Sequence, residues 1–254
     1  MRKICVIFCV AAIAVSCFSG KGKFNDTVDF EKITVEKNSR DVTSDSSYKV
    51  SLTYYAPTGV PEFLKDSIQK HTKFLFAAWF DVKGEFDLNV SVQKHFDEYF
   101  RQIAKNNLPA HTFFVLNISP DEIYQNKHVI SLAYNWTIYE GGAHPNHGKF
   151  CFVIDKNSGE KVNFNSLVKG HEAEFLEIAK AEFKAQSGIK ENEEIYSVYR
   201  FKDNEFHLTD NYTFTPSGLV FCYNPYDIAP YSFGLIELII PYEKIKDLIN
   251  ISLK

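Results

Sequence analysis

The run "HVISLAYNWTIY", His128 to Tyr139, sets the strongest limit on what this chain can fold into. Ile130, Leu132, Tyr134, Trp136 and Ile138 fall at every second position, so the period is that of a strand and not of a helix. A slip of one residue would turn all of these large groups to the opposite face, so the strand must sit in one register within a sheet. That sheet in turn needs a layer packed against its apolar face. The stretch "YEGGAHPNHGKF" follows directly, and Gly141-Gly142 can take the positive φ that a tight turn out of a long strand requires.

The flanking segments supply partners for that strand. Val50, Leu52 and Tyr54 alternate with polar residues in a strand that begins near Tyr48. After Pro57 and Pro61, Leu64, Ile68, Leu75 and Trp79 recur at helical spacing, and Val92, Phe96, Phe100 and Ile103 mark a second helix. Packing explains both stripes. "HTFFVLNIS" and "KFCFVID" read as further strands, the latter turning through Asp155–Gly159 into "EKVNF". A helix is expected over residues 166–186, stopped by Gly188. Two strands around Pro216-Ser217-Gly218, the strand "LIELII" and a closing helix complete the chain. The pattern predicts an α+β fold with antiparallel sheets, helices packed on one face, and two closely joined subdomains. They are expected at residues 47–135 and 136–254, with the long strand shared between them.

The chain opens differently. Arg2 and Lys3 precede an apolar run from Ile4 to Val15, of signal-peptide length and too short to span a bilayer. It ends in Ala14-Val15-Ser16-Cys17, which resembles a bacterial lipobox although alanine stands where leucine is more usual. Residues 1–16 are therefore expected to be a signal peptide and Cys17 the lipidated first residue of the mature chain. Residues 17–46 are polar and read as a tether. The expected location is the bacterial cell envelope, with lipid as the membrane attachment. A formal charge of −4 and the lack of a basic block argue against nucleic acid as a partner.

With Cys5 and Cys9 in the signal, Cys151 and Cys222 are the remaining thiols, each inside an apolar strand-like run. Outside the cytoplasm they would be either two buried thiols or a disulfide, and the sequence leaves both open. His144 and His147 offer two nitrogens to a metal, but zinc takes three or four ligands and no second cluster completes a set. The stretch reads as a turn, and no metal or cofactor is expected. There is no Gly-x-Ser-x-Gly elbow and no glycine-rich phosphate loop, and Glu193-Glu194 lies in a charged connector. The loop "NPYDIAPYSFG" instead holds Tyr226, Pro230, Tyr231 and Phe233 in a stiff segment, and stiff aromatic groups make good contact anchors.

"YEGGAH", "DKNSGEKVNFNSLV", "FTPSGLVFCYNPYDIAPYSFG" and "IELIIPYEKI", in that order, resemble the extracytoplasmic domain of RsiV-type proteins, the lysozyme-sensing anti-sigma factors. Residues 48–135 resemble the smaller domain that precedes it, also found in PdaC-type peptidoglycan deacetylases. The resemblance covers about residues 48–254 and matches Gly141, Gly142, Ala143 and His144, with no counterpart for His147. It departs in lacking the cytoplasmic sigma-binding segment, the membrane helix and the deacetylase domain, so neither sigma-factor inhibition nor deacetylation carries over. What the resemblance implies is a non-enzymatic envelope recognition module for a lysozyme-like protein or a peptidoglycan fragment. The candidate contact residues are Gly141, Gly142, His144, Tyr226, Pro230, Tyr231 and Phe233. The alternative is an envelope hydrolase acting on peptidoglycan or another glycan through carboxylates brought together in three dimensions.

Lipidation gives a direct test. Replacing Cys17 by alanine should move the protein from the membrane to the soluble fraction, and membrane association unchanged in that variant would remove the anchor.

Overall fold

The computed structural model describes residues 27–41, 46–81, 87–105, 107, 112–190 and 192–251. Cys17 and the expected signal peptide lie outside the described residues. The chain runs β1 (Asp29–Asp41), β2 (Ser46–Thr58), α1 (Glu62–Phe76), α2 (Leu88–Ala104), β3 (Phe113–Gln125), β4 (Val129–Tyr139) and β5 (Asn146–Asp155). It continues as α3 (Phe164–Leu167), α4 (Glu172–Gln186), β6 (Tyr212–Phe214), β7 (Gly218–Tyr223), β8 (Ile236–Pro241) and α5 (Tyr242–Ile245). The first sheet has the order β1-β2-β3-β4-β5 and the second β6-β7-β8. This is the expected α+β architecture, antiparallel except where β2 runs parallel to β3. None of the described helices is long and apolar enough to cross a membrane.

Four layers result. Leu64, Ile68 and Val92 of α1 and α2 pack on the face of the first sheet formed by Tyr48, Leu52, Ile130, Leu132, Tyr134 and Phe152. Phe175, Ala179 and Phe183 of α4 cover the outer face of the second sheet, against Tyr212, Phe214, Leu219 and Phe221. At the centre of the space between the sheets lie small groups, Ala133, Cys151, Val220 and Cys222, while to one side Tyr124 of β3 stacks on Phe214 of β6 at 5.9 Å. Beside them the Ser131 hydroxyl meets that of Thr213 at 2.8 Å and accepts the Phe214 N–H at 2.9 Å. The alternation of β4 thus has a second meaning. Its large residues face the helices, and its small ones, Ser131 and Ala133, let a second sheet approach.

Several expectations are corrected. Residues 29–41, read as tether, form β1, paired along its whole length with β2. Of its side chains Val35 is buried while most others are solvated, so an edge strand here carries little apolar signal. The 135/136 position lies within β4, the long strand expected to be shared, and β5 pairs with β4 in the first sheet. The helix expected over 166–186 is split into α3 and α4 around Gly170, at φ +91°. The hairpin into "EKVNF" shrinks to a single bridge between Ile154 and Lys161.

The outer edge of β5 would be an open ladder, yet side chains close it. The Lys149 N–H donates to Asn224 Oδ1 at 2.7 Å, and the Cys151 N–H donates to Asn211 Oδ1 at 2.7 Å. Asn211 Nδ2 donates to the carbonyls of Lys149 at 3.0 Å and Cys222 at 2.9 Å. Farther along, the Val162 N–H reaches the Val153 carbonyl at 2.8 Å. One asparagine amide therefore bonds backbone of both sheets, as a strand segment would. Gly148 lies opposite Trp136 in the ladder. A Cβ there would stand 2.5 Å from Asn224 Oδ1 and 2.6 Å from the Trp136 ring, so only glycine lets Asn224 reach the edge.

These contacts make two predictions. Asn211→Ala leaves three backbone groups without their partner and should cost on the order of 3 kcal/mol, roughly 5–10 °C in melting temperature. Asn211→Asp should not rescue it, because a carboxylate cannot donate to either carbonyl. A melting temperature for the alanine variant within a degree of wild type would remove Asn211 from this role. Gly148→Ala should destabilise by about 1–3 kcal/mol through overpacking, and denaturant unfolding of that variant measures it.

Candidate recognition patch

Two connections meet at one end of the paired sheets. The first, between β4 and β5, takes Gly141 at φ +88° and Gly142 at φ +109°, both exposed. The Tyr139 hydroxyl donates to the Gly142 carbonyl at 3.1 Å and holds the turn's near side. Residues 141–144 are thus a turn, and the ring of His144 stands out from it into solvent, Nδ1 2.9 Å from the Pro145 carbonyl.

The second connection runs from β7 to β8. Asn224 opens it, donating its N–H to Asp227 Oδ2 at 2.8 Å, and the Tyr226 N–H closes onto the Ala229 carbonyl at 3.1 Å. Ile228 and Ala229 are buried and tie the loop down. Pro230 then starts a short 3₁₀ turn over Tyr231–Phe233. Within this frame Tyr226 has φ +76°, a conformation that a bulky side chain rarely adopts and that stores strain. The residue is 62% exposed.

The connections are joined through Tyr231. Its ring stacks on His144, with centroids 3.8 Å apart and planes 23° apart. Its hydroxyl donates to the Pro145 carbonyl at 2.6 Å and lies 3.4 Å from His147 Nδ1. Tyr226 sits beside it, ring centroids 5.8 Å apart. Of the candidate residues, His144, Tyr226 and Tyr231 form one cluster, Gly141 and Gly142 shape its turn, and Pro230 positions Tyr231. Phe233 is set apart from this arrangement: its ring contact is with Tyr199, at 5.8 Å. Tyr231 is half-buried and works as a strut, so Tyr226 is the ring most fully presented.

A second feature escaped the sequence. Lys149 Nζ lies 2.7 Å from Asp121 of β3 and 2.7 Å from Glu237 of β8, tying the two sheets across a cleft of about 380 Å³ that Thr213, Thr215 and Ser217 also line. Burial pushes the lysine's pKa down, but the two carboxylates outweigh it and hold the ammonium well above its ordinary range. Both acids are engaged with that cation, which fits a strut between sheets. Three residues so far apart in sequence, with no shared motif, give no linear signal. Asn211 and Asn224 were missed because asparagine beside an apolar run reads as a turn residue. Among the described residues no group of three or more His, Cys, Asp or Glu converges as metal ligands would.

Residues 165–243 match a family model described as "Protein of unknown function (DUF3298)". A search of curated proteins gives no match. The fold is similar to the crystal structure of a member of that family from Bacteroides fragilis NCTC 9343, at 19% identity and a TM-score of 0.66, covering 89% of this chain and 94% of that one. It is also similar to the structure of a DUF3298 family protein from Pseudomonas aeruginosa PAO1, at 16% identity and a TM-score of 0.57, covering 89% and 95%. At these identities the likeness is one of fold: the whole α+β arrangement is shared, and over residues 165–243 the chain carries the sequence pattern of DUF3298.

Proposed function

We propose that this protein is a non-enzymatic recognition module of the bacterial cell envelope, held to a membrane by lipid on Cys17. It binds a lysozyme-like protein or a wall glycan through Tyr226 and the His144–Tyr231 stack beside it. One observation carries the reading. Tyr226 is kept at φ +76° and is 62% exposed, in a loop hydrogen-bonded on both sides. A strained backbone that presents a large ring to water does not serve packing, whereas a pre-set aromatic anchor loses little entropy on binding. The resemblance of residues 48–254 to lysozyme-sensing ectodomains supplies the ligand class.

The test separates binding from folding. Titration calorimetry with a lysozyme and with soluble peptidoglycan fragments tells the two ligands apart, and binding of neither would sink the proposal. Against whichever binds, Tyr226→Ala should lose roughly thirtyfold in affinity, on the order of 2 kcal/mol, with the fold intact. Tyr226→Gly should lose as much affinity while gaining some stability, because glycine takes the positive φ without strain. Equal affinity in both variants would place the contact face elsewhere.

A further inference from the structure

Cys151 of β5 and Cys222 of β7 face one another across the two sheets, both buried, with sulfurs 3.8 Å apart as thiols. We infer that this pair is a built site for a disulfide that joins the first sheet to the second at the root of the recognition patch. Asn211 fixes the backbone on both sides: the Cys151 N–H donates to Asn211 Oδ1, Asn211 Nδ2 donates to the Cys222 carbonyl, and the Cys222 N–H donates to the Asn211 backbone carbonyl at 2.8 Å. Ala133 stands opposite Cys151 in the ladder, and Ala133 and Val220 complete the buried cluster around the sulfurs. A bond needs the sulfurs to close to about 2.05 Å, within reach of side-chain rotation once the strands are already held together.

The chemistry is thiol–disulfide exchange. One thiolate attacks a low-molecular-weight disulfide such as oxidised glutathione, releasing one reduced thiol and forming a mixed disulfide. The second sulfur, losing its proton, displaces the other half, so two protein thiols are oxidised and one disulfide is reduced to two thiols. Neither thiol is accessible in the folded protein, and the hydrogen bond with Cys222, together with burial, holds the Cys151 thiol well above its ordinary pKa. The bridge therefore forms as the chain folds and, once formed, resists reduction. It is a staple and not a fast switch.

Its position gives it a consequence. Cys151 follows the turn that carries His144, and Cys222 immediately precedes the loop that carries Tyr226 and Tyr231. A covalent link there holds the halves of the patch in register, a point that rests on the proposed recognition role. The bridge itself is read without any ligand, so the two ideas fail separately.

The full chain is unfolded and refolded in a glutathione redox buffer, digested under non-reducing conditions, and mapped by mass spectrometry. The expected result is one peptide pair linking Cys151 to Cys222, lighter by two hydrogens than the reduced pair, and a melting temperature lowered by on the order of 10 °C on reduction, as closing a loop of 71 residues implies. Cys151→Ala with Cys222→Ala should melt like the reduced protein and be insensitive to reductant. Cys151 and Cys222 recovered as free thiols from correctly refolded protein, or a linked pair whose reduction leaves the melting temperature unchanged, would overturn the inference.

Discussion

The amide of Asn211 is the contact on which the arrangement of the two sheets depends. It accepts from Cys151 and donates to Lys149 and Cys222, so it completes the ladder of β5 and fastens that strand to β7 in one step. Tyr124 stacks on Phe214 to one side, and the centre of the apolar contact between the sheets holds Ala133, Cys151, Val220 and Cys222. Groups so small bury little area and contribute correspondingly little. Orientation therefore falls to polar links: Asn211 and Asn224 at the β5 edge, the Ser131–Thr213 hydroxyl pair, and Lys149 between Asp121 and Glu237. Each of these has its partner in place, and a buried polar network is costly only when left half satisfied.

This division of labour explains how much could be read from the chain. The apolar periodicity of β4, α1 and α2 reports the first core directly, because each element meets it with a stripe of large side chains. The Gly141–His144 turn and the Tyr226–Phe233 loop could be picked out as candidate contact segments, but their meeting arises between two different sheets, β4–β5 in the first and β7–β8 in the second, and not within one C-terminal sheet. What stayed hidden has a common cause. β1 is an exposed edge paired along its backbone with β2, and β5 joins the first sheet through its backbone pairing with β4. Asn211, Asn224 and Lys149 each have a partner 60 or more residues away, Cys151, Lys149 and Glu237 respectively, and local patterns cannot encode those distances. Phe233 belongs to neither group: a linear loop puts it beside the tyrosines, and the 3₁₀ turn aims it at Tyr199.

The comparisons place the fold on firmer ground than the site. A shared architecture at 19% and 16% identity says that many side-chain sets satisfy the same layers. Function has to be argued from the residues that the fold does not need. Most aromatic groups here are needed: Tyr48, Tyr134, Tyr212 and Tyr223 are buried, and each packs among other rings. Tyr226 is the contrast, because removing its ring opens no cavity in either core.

The same reasoning ranks the two members of the tyrosine pair. Tyr231 spends its hydroxyl on the Pro145 carbonyl and its face on His144, so the β4–β5 turn leans on it. Tyr226 leans on Tyr231 and supports nothing beyond itself. A chain of dependence therefore runs outward, from Asn211 and Asn224 fixing the ends of β5 and β7, through Tyr231 locking the two connections, to Tyr226 presented at the rim. Exposure rises at the end of that chain, from the half-buried asparagines and Tyr231 to the exposed Tyr226, as a rigid scaffold carrying a contact surface requires.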